Sequence, residues 1–100
     1  MLRGVNAIAA AVAREFPQRH IVIQTLAYEW SASPPKLPRP AANVVVRLST
    51  IAANFGAGLT DPSNAETMRD LAGWAAISAR GSGPAIWSYS ANFASYLTPF

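Results

Sequence analysis

Glu29 stands between two aromatic residues, Tyr28 and Trp30, where an apolar run that begins at His20 gives way to polar side chains. A carboxyl group there can serve as a general acid or accept a hydrogen bond from a sugar hydroxyl. Flat aromatic faces beside it suit stacking on a sugar ring. A loop carboxylate paired with arginine or water is the plainer account of the same residue. A second cluster, Trp87-Ser88-Tyr89 with Asn92, repeats the mixture of aromatic and polar groups further along. Arg47 is a charge set inside Val44-Val45-Val46-Arg47-Leu48, where burial would demand a partner. Its guanidinium fork could clamp a ligand carboxylate. A structural ion pair, with Glu29 as candidate acid, is the preferred reading.

These groups need elements to hold them. The clusters close three runs of strand-forming residues, at 21–28, at 44–50 and from Pro84 to Asn92. Near-continuous apolar runs alternating with helices predict an α/β fold. Its parallel strands are covered by helices, and chemistry sits where the strands end. A first helix is predicted over 5–16, because Val5, Ile8, Ala9, Val12 and Phe16 share one face, and Pro17 stops it. A second is predicted over 65–80, opened by a capping box from Ser63 to Glu66 with Pro62 just outside. Its broad apolar face comprises Met68, Leu71, Ala72, Ala75 and 77–79, with Trp74 near the edge and Gly81 closing the end.

The stretch 31–42 carries Pro34, Pro35, Pro38 and Pro40, which predicts a stiff, extended connection rather than a helix. It is barely long enough for the crossover that parallel neighbours require. Residues 51–59 form a small-residue loop containing Asn54. Its glycine spacing fits neither the dinucleotide nor the P-loop pattern, so no phosphate site is expected.

Composition narrows the function classes. Hydrophobic residues make up 51% of the 100 positions and charged residues only 13%, which excludes a disordered chain. That is much apolar surface for the length, and the chain stops at Phe100 just after its third run. The expectation is that residues 1–100 are one piece of a larger domain whose other parts cover the remainder. The net charge of +3 comes from scattered residues, from Arg3 to Arg80, without the clustered basic face that nucleic acid needs.

Without cysteine there is neither a disulfide nor a thiolate metal site. His20, the sole histidine, sits at a strand's N-terminal end, so neither a metal cluster nor a triad with Ser88 is legible, and no cofactor is expected. The alanine-rich start reads as an amphipathic helix rather than a signal peptide. No apolar run is long enough to span a bilayer, and the compartment stays open.

Four segments taken together resemble a known family. They are Leu26-Ala27-Tyr28; the Pro35-to-Pro40 loop leading into Asn43 and Val44-Val45-Val46-Arg47-Leu48; Leu71-Ala72-Gly73-Trp74; and Ile86-Trp87-Ser88-Tyr89 with Asn92-Phe93 and Tyr96-Leu97-Thr98-Pro99-Phe100. Their order and spacing are similar to DUF4838, a domain of unknown function in large, mostly bacterial proteins that are glycoside-hydrolase-like and related to α-glucuronidase-type barrels.

The resemblance covers nearly the whole chain and matches an interior or C-terminal part of the family's domain. It implies a partial (β/α)8, TIM-type barrel with about three parallel strands and two main helices. The rim would be faced by Glu29, by 52–54 and by 88–92. It also implies full-length relatives that are bacterial and secreted or periplasmic.

The family pattern commonly places acidic residues where this chain has Ala52, Asn54 and Ser88. Glycoside hydrolysis uses two carboxyl groups across the scissile bond. Here Glu29 is the one carboxylate at a predicted strand end. Asp61 lies beyond the loop, Glu15 ends a helix, and Glu66 and Asp70 read as helix-surface charges.

The resulting expectation is a carbohydrate-facing segment that is not catalytic on its own. Glu29 would be the acid or hydroxyl-binding group, and Arg47 the clamp for a uronate carboxylate. Tyr28, Trp30, Asn54, Trp87, Ser88, Tyr89 and Asn92 would be substrate contacts. The partners would be an oligo- or polysaccharide and the rest of the barrel, with neither nucleic acid nor membrane. The alternative is a non-enzymatic carbohydrate-binding or scaffold segment that has lost its acidic residues.

Overall fold

Three strands lie side by side and run in the same direction. The computed structural model describes residues 1–78 and 83–89. Helix α1 (Leu2–Glu15) leads into strand β1 (Ile23–Ala27), which a short 3₁₀ turn (Glu29–Ser31) follows. Strand β2 (Val44–Ser49), a second 3₁₀ turn (Pro62–Asn64), helix α2 (Ala65–Ile77) and strand β3 (Ala85–Trp87) complete the order. The sheet order is β1-β2-β3 and both pairings are parallel. Ile23 lies opposite Val44 and Ala27 opposite Leu48, while Arg47 lies opposite Ala85 and Ser49 opposite Trp87.

This register sorts the side chains by face, since alternate residues of a strand point to opposite sides. Ile23 and Ala27 of β1 join Val44, Val46 and Leu48 of β2 on one face, in a single core with Leu2 and Ala9 of α1 and Trp74 of α2. The opposite face carries Gln24 and Leu26, then Val45, Arg47 and Ser49, then Ala85 and Trp87. Both helices pack on the first face. Among the described residues no helix covers the second, and Leu26 and Trp87 are exposed on it.

Details differ from the sequence expectations. The buried stripe of α1 is Leu2, Val5 and Ala9 rather than one running through Ile8 and Phe16, which are exposed. Beginning the helix at Leu2 lets that large side chain enter the core and turns the apolar face accordingly. In α2, Trp74 is fully buried instead of lying at an edge, with Leu71 and Ile77 beside it, whereas Ala72 and Ala75 are exposed. One indole fills the space that several alanines would otherwise have to fill.

The cap at the start of α2 also moves. Asp61 accepts from the Ser63 amide at 2.9 Å and the Ser63 hydroxyl at 2.7 Å, capping the 3₁₀ turn that precedes the helix. No Ser63–Glu66 capping box forms. The two hydrogen bonds hold the Asp61 carboxyl below the usual carboxylate range. Strand β3 ends at Trp87, whose carbonyl accepts from the Thr50 amide at 3.2 Å, so Ser88 and Tyr89 lie beyond it. Residues 79–82, with Arg80 and Gly81, and residues from 90 onward lie outside the described residues.

The proline-rich connection from β1 to β2 carries no α-helix, as its composition predicts, and is held by side chains from both helices. Trp74 Nε1 donates to the Ala32 carbonyl at 2.7 Å, and Ser33 Oγ donates to Asp70 Oδ1 at 2.7 Å. Pro34 packs so closely on Gly73 that a Cβ there would lie 2.6 Å from Pro34 Cγ. At the far end Asn6 of α1 donates to the Arg39 carbonyl and accepts from the Ala41 amide. Among the described residues no helix is long and apolar enough to cross a membrane.

Candidate functional site

Because all three strands are parallel, their C-terminal ends open on one side of the sheet. Tyr28 and Glu29 follow β1, Ser49 and Thr50 end the β2 run, and Tyr89 lies just past β3. Glu29 has a φ of 50°, in the left-handed region that side-chain-bearing residues seldom adopt. Such a backbone costs on the order of 1–3 kcal/mol and is held by its surroundings. Here Ser31 supplies the hold: its hydroxyl donates to the Tyr28 carbonyl at 3.0 Å and accepts from the Tyr28 amide at 3.1 Å. The Ala32 amide closes the turn on the Glu29 carbonyl at 3.0 Å.

The Glu29 carboxylate lies beside the Tyr28 hydroxyl. A hydrogen bond to Glu29 is the main cause that pushes the Tyr28 phenol above the ordinary tyrosine value, and the charge of Glu29 adds to it. Tyr89, just past β3, contributes more weakly, and its hydroxyl meets Ser49 Oγ at 3.1 Å. Ser49 and Tyr89 thus tie the end of β2 to the segment after β3, while Tyr28 and Glu29 stand at the end of β1.

Glu29 also lines a cleft of about 220 Å³ together with Ser49, Ser63, Glu66, Thr67 and Asp70. Glu66 is an exposed charge of the second helix, as expected, and Asp70 is half-buried; both also line the same cleft as Glu29. The spacing contains the signal: Glu66, Asp70 and Trp74 succeed one another at intervals of four along one helical face. Once Trp74 is anchored under the sheet, its two predecessors are carried to the strand tips. Three carboxyl groups around one cleft supply the residue types that two-carboxylate chemistry requires. Among the described residues no three His, Cys, Asp or Glu side chains are grouped to hold a metal ion.

Other expected site residues are placed elsewhere. Arg47 lies mid-strand on the open face, and its Nε donates to Gln24 Oε1 at 2.6 Å. Gln24, rather than Glu29, is its partner, because the register sets the two side chains on the same face of adjacent strands.

Asn54 pins its own loop: its amide donates to Asn64 Oδ1 at 2.7 Å, its Nδ2 to Ser63 Oγ at 3.1 Å, and its Oδ1 accepts from Gly56. Asn64, which is 1% exposed, returns the contact through Nδ2 to the carbonyls of Asn54 and Gly58. Trp87 shares the open face with Ser49, Ser88 is exposed beside it, and Asn92 lies outside the described residues. Trp30, 82% exposed, leaves the Glu29 cleft and borders a different one of about 390 Å³. His20 lines a cleft with Arg19 and Asn43, at the opposite end of the strands.

A family model described as a domain of unknown function, DUF4838, matches residues 1–100. The chain belongs to the DUF4838 family. Neither the curated proteins nor the solved structures contain a match to it. In this DUF4838 chain the strand-tip cleft can accept hydrogen bonds through Glu29, Glu66 and Asp70 and offer hydroxyls through Ser49 and Thr67. A polyhydroxylated ligand matches that mixture of donors and acceptors.

Proposed function

We propose that this DUF4838 chain is the carbohydrate-facing segment of a glycoside-hydrolase-like (β/α)8 barrel and is not catalytic on its own. The observation that carries the reading is the opening of Glu29, Glu66 and Asp70 onto one cleft at the C-terminal ends of parallel strands. That end of such a sheet is where barrel enzymes place their reacting groups. The sheet face that carries no helix among the described residues supports the barrel, since parallel sheets are ordinarily buried on both sides and the inner face of a barrel is filled by neighbouring strands.

Glu29 is the acid or the acceptor of a sugar hydroxyl, with Tyr28 holding its carboxylate in place. Asp70, oriented by Ser33, is the second carboxyl group available across the cleft. Turnover of a panel of polysaccharides by a full-length family protein that contains this chain tests the reading. Glu29→Gln should lower the rate roughly 10²–10⁴-fold, the usual contribution of a general acid. Unchanged turnover would remove Glu29 from the chemistry.

A second reading, a carbohydrate-binding segment without turnover, is favoured by the uncharged residues Ala52, Asn54 and Ser88 around the strand ends. Retained glycan binding with no product release would select it.

A further inference from the structure

We infer that the cleft bordered by Trp30 is a second sugar-ring subsite, adjoining the Glu29 cleft and separated from it by the Ser33–Asp70 hydrogen bond. The inference rests on the carbohydrate reading and extends it from one ring to a chain of rings. Trp30 and Glu29 are consecutive, yet each lines a different cleft. Ser33 borders the first and Asp70 the second, and their side chains meet at 2.7 Å to form the common wall. A polymer crossing that wall would place successive rings on either side.

The lining selects the occupant. Trp30, a residue 82% exposed, offers its indole, and Pro35, Pro38 and Leu37 give further apolar surface over buried Trp74. Arg3 stands among them with no hydrogen-bond or ion-pair partner among the described residues, and Ser33 adds a hydroxyl. A ligand with a flat apolar face and a polar rim satisfies both sets of groups, and a pyranose ring is such a ligand. A volume of about 390 Å³ accommodates a ring rather than a folded partner. The Arg3 guanidinium is complementary to the oxygen-rich edge of a sugar, where it can donate several hydrogen bonds.

The test is binding by the intact chain to an array of mono- to tetrasaccharides with neutral and acidic rings. Titration calorimetry on the retained series in increasing length would follow. Affinity should rise about tenfold on adding the ring that reaches Trp30, the order expected for aromatic stacking. Trp30→Ala should abolish that increment and leave the shorter oligosaccharide unchanged. Arg3→Gln should reduce it in part.

Trp30 is largely exposed, so its replacement leaves the fold intact, which circular dichroism would verify. A length increment that survives Trp30→Ala overturns the subsite while the carbohydrate reading stands. Failure of every glycan to bind overturns that reading, and the subsite with it.

Discussion

The Trp74 indole N–H donates to the Ala32 carbonyl at 2.7 Å, tying a fully buried side chain of α2 to the connection that leaves β1. This bond fixes where α2 lies along the sheet. It thereby sets the position of Asp70 and Glu66, one and two turns earlier on the same face. Removing the ring would leave a large void and an unpaired carbonyl. Trp74→Ala is expected to destabilise the chain by about 3–5 kcal/mol, whereas Trp74→Phe should lose about 1–3 kcal/mol, chiefly from the orphaned Ala32 carbonyl. Urea unfolding followed by circular dichroism measures both.

Gly73 is required by the approach of Pro34. Alanine favours a helix interior by about 1 kcal/mol over glycine, yet a Cβ at 2.6 Å from the Pro34 ring forces the connection outward. The crowding term, about 1–3 kcal/mol, should prevail. Gly73→Ala is therefore expected to lower the unfolding midpoint, and Pro34→Ala in the same chain to restore much of it. Additive losses in that double-variant cycle would show that the two residues do not meet.

The Tyr28–Glu29 contact makes a pH prediction. A hydrogen bond to a carboxylate favours the protonated phenol, so the folded chain holds that proton to higher pH than the unfolded chain does. The stabilisation is fully present below the unfolded tyrosine value and is lost as pH rises through the raised folded one. Glu29→Gln should shift the Tyr28 titration down toward ordinary tyrosine, read from its ring-carbon resonance in nuclear magnetic resonance. A Tyr28 curve that does not move would mean that Glu29 is not what holds the proton.

Strand existence and direction were legible because Val44-Val45-Val46 and its neighbours form apolar runs too uniform for a half-exposed antiparallel sheet. The boundaries of β3 were harder, since Ser88 and Tyr89 continue the strand-like composition after the ladder has ended. The rotation of α1 escaped the periodicity because Leu2 lay before the window that Ile8 and Phe16 suggested. At the site, Glu29 was visible from its aromatic neighbours. Glu66 and Asp70 were not, because a charge on a helix is ordinarily solvated. Their meaning depends on Trp74, whose burial is a tertiary fact. The Arg47 partner was missed for a similar reason: proximity in a sheet follows register, and Gln24 comes within reach only through the pairing of β1 with β2.

The bond between Arg47 and Gln24 sits on the side of the sheet that faces away from both helices, and it occupies only Nε of a guanidinium with several more N–H groups. A purely greasy layer laid over that side would strand those donors away from water at considerable expense. A strand or helix laid over that side would match those donors by carrying carboxylates or carbonyl oxygens aligned with β2. One cation would in this way reject indiscriminate stacking and admit a chemically matched mate.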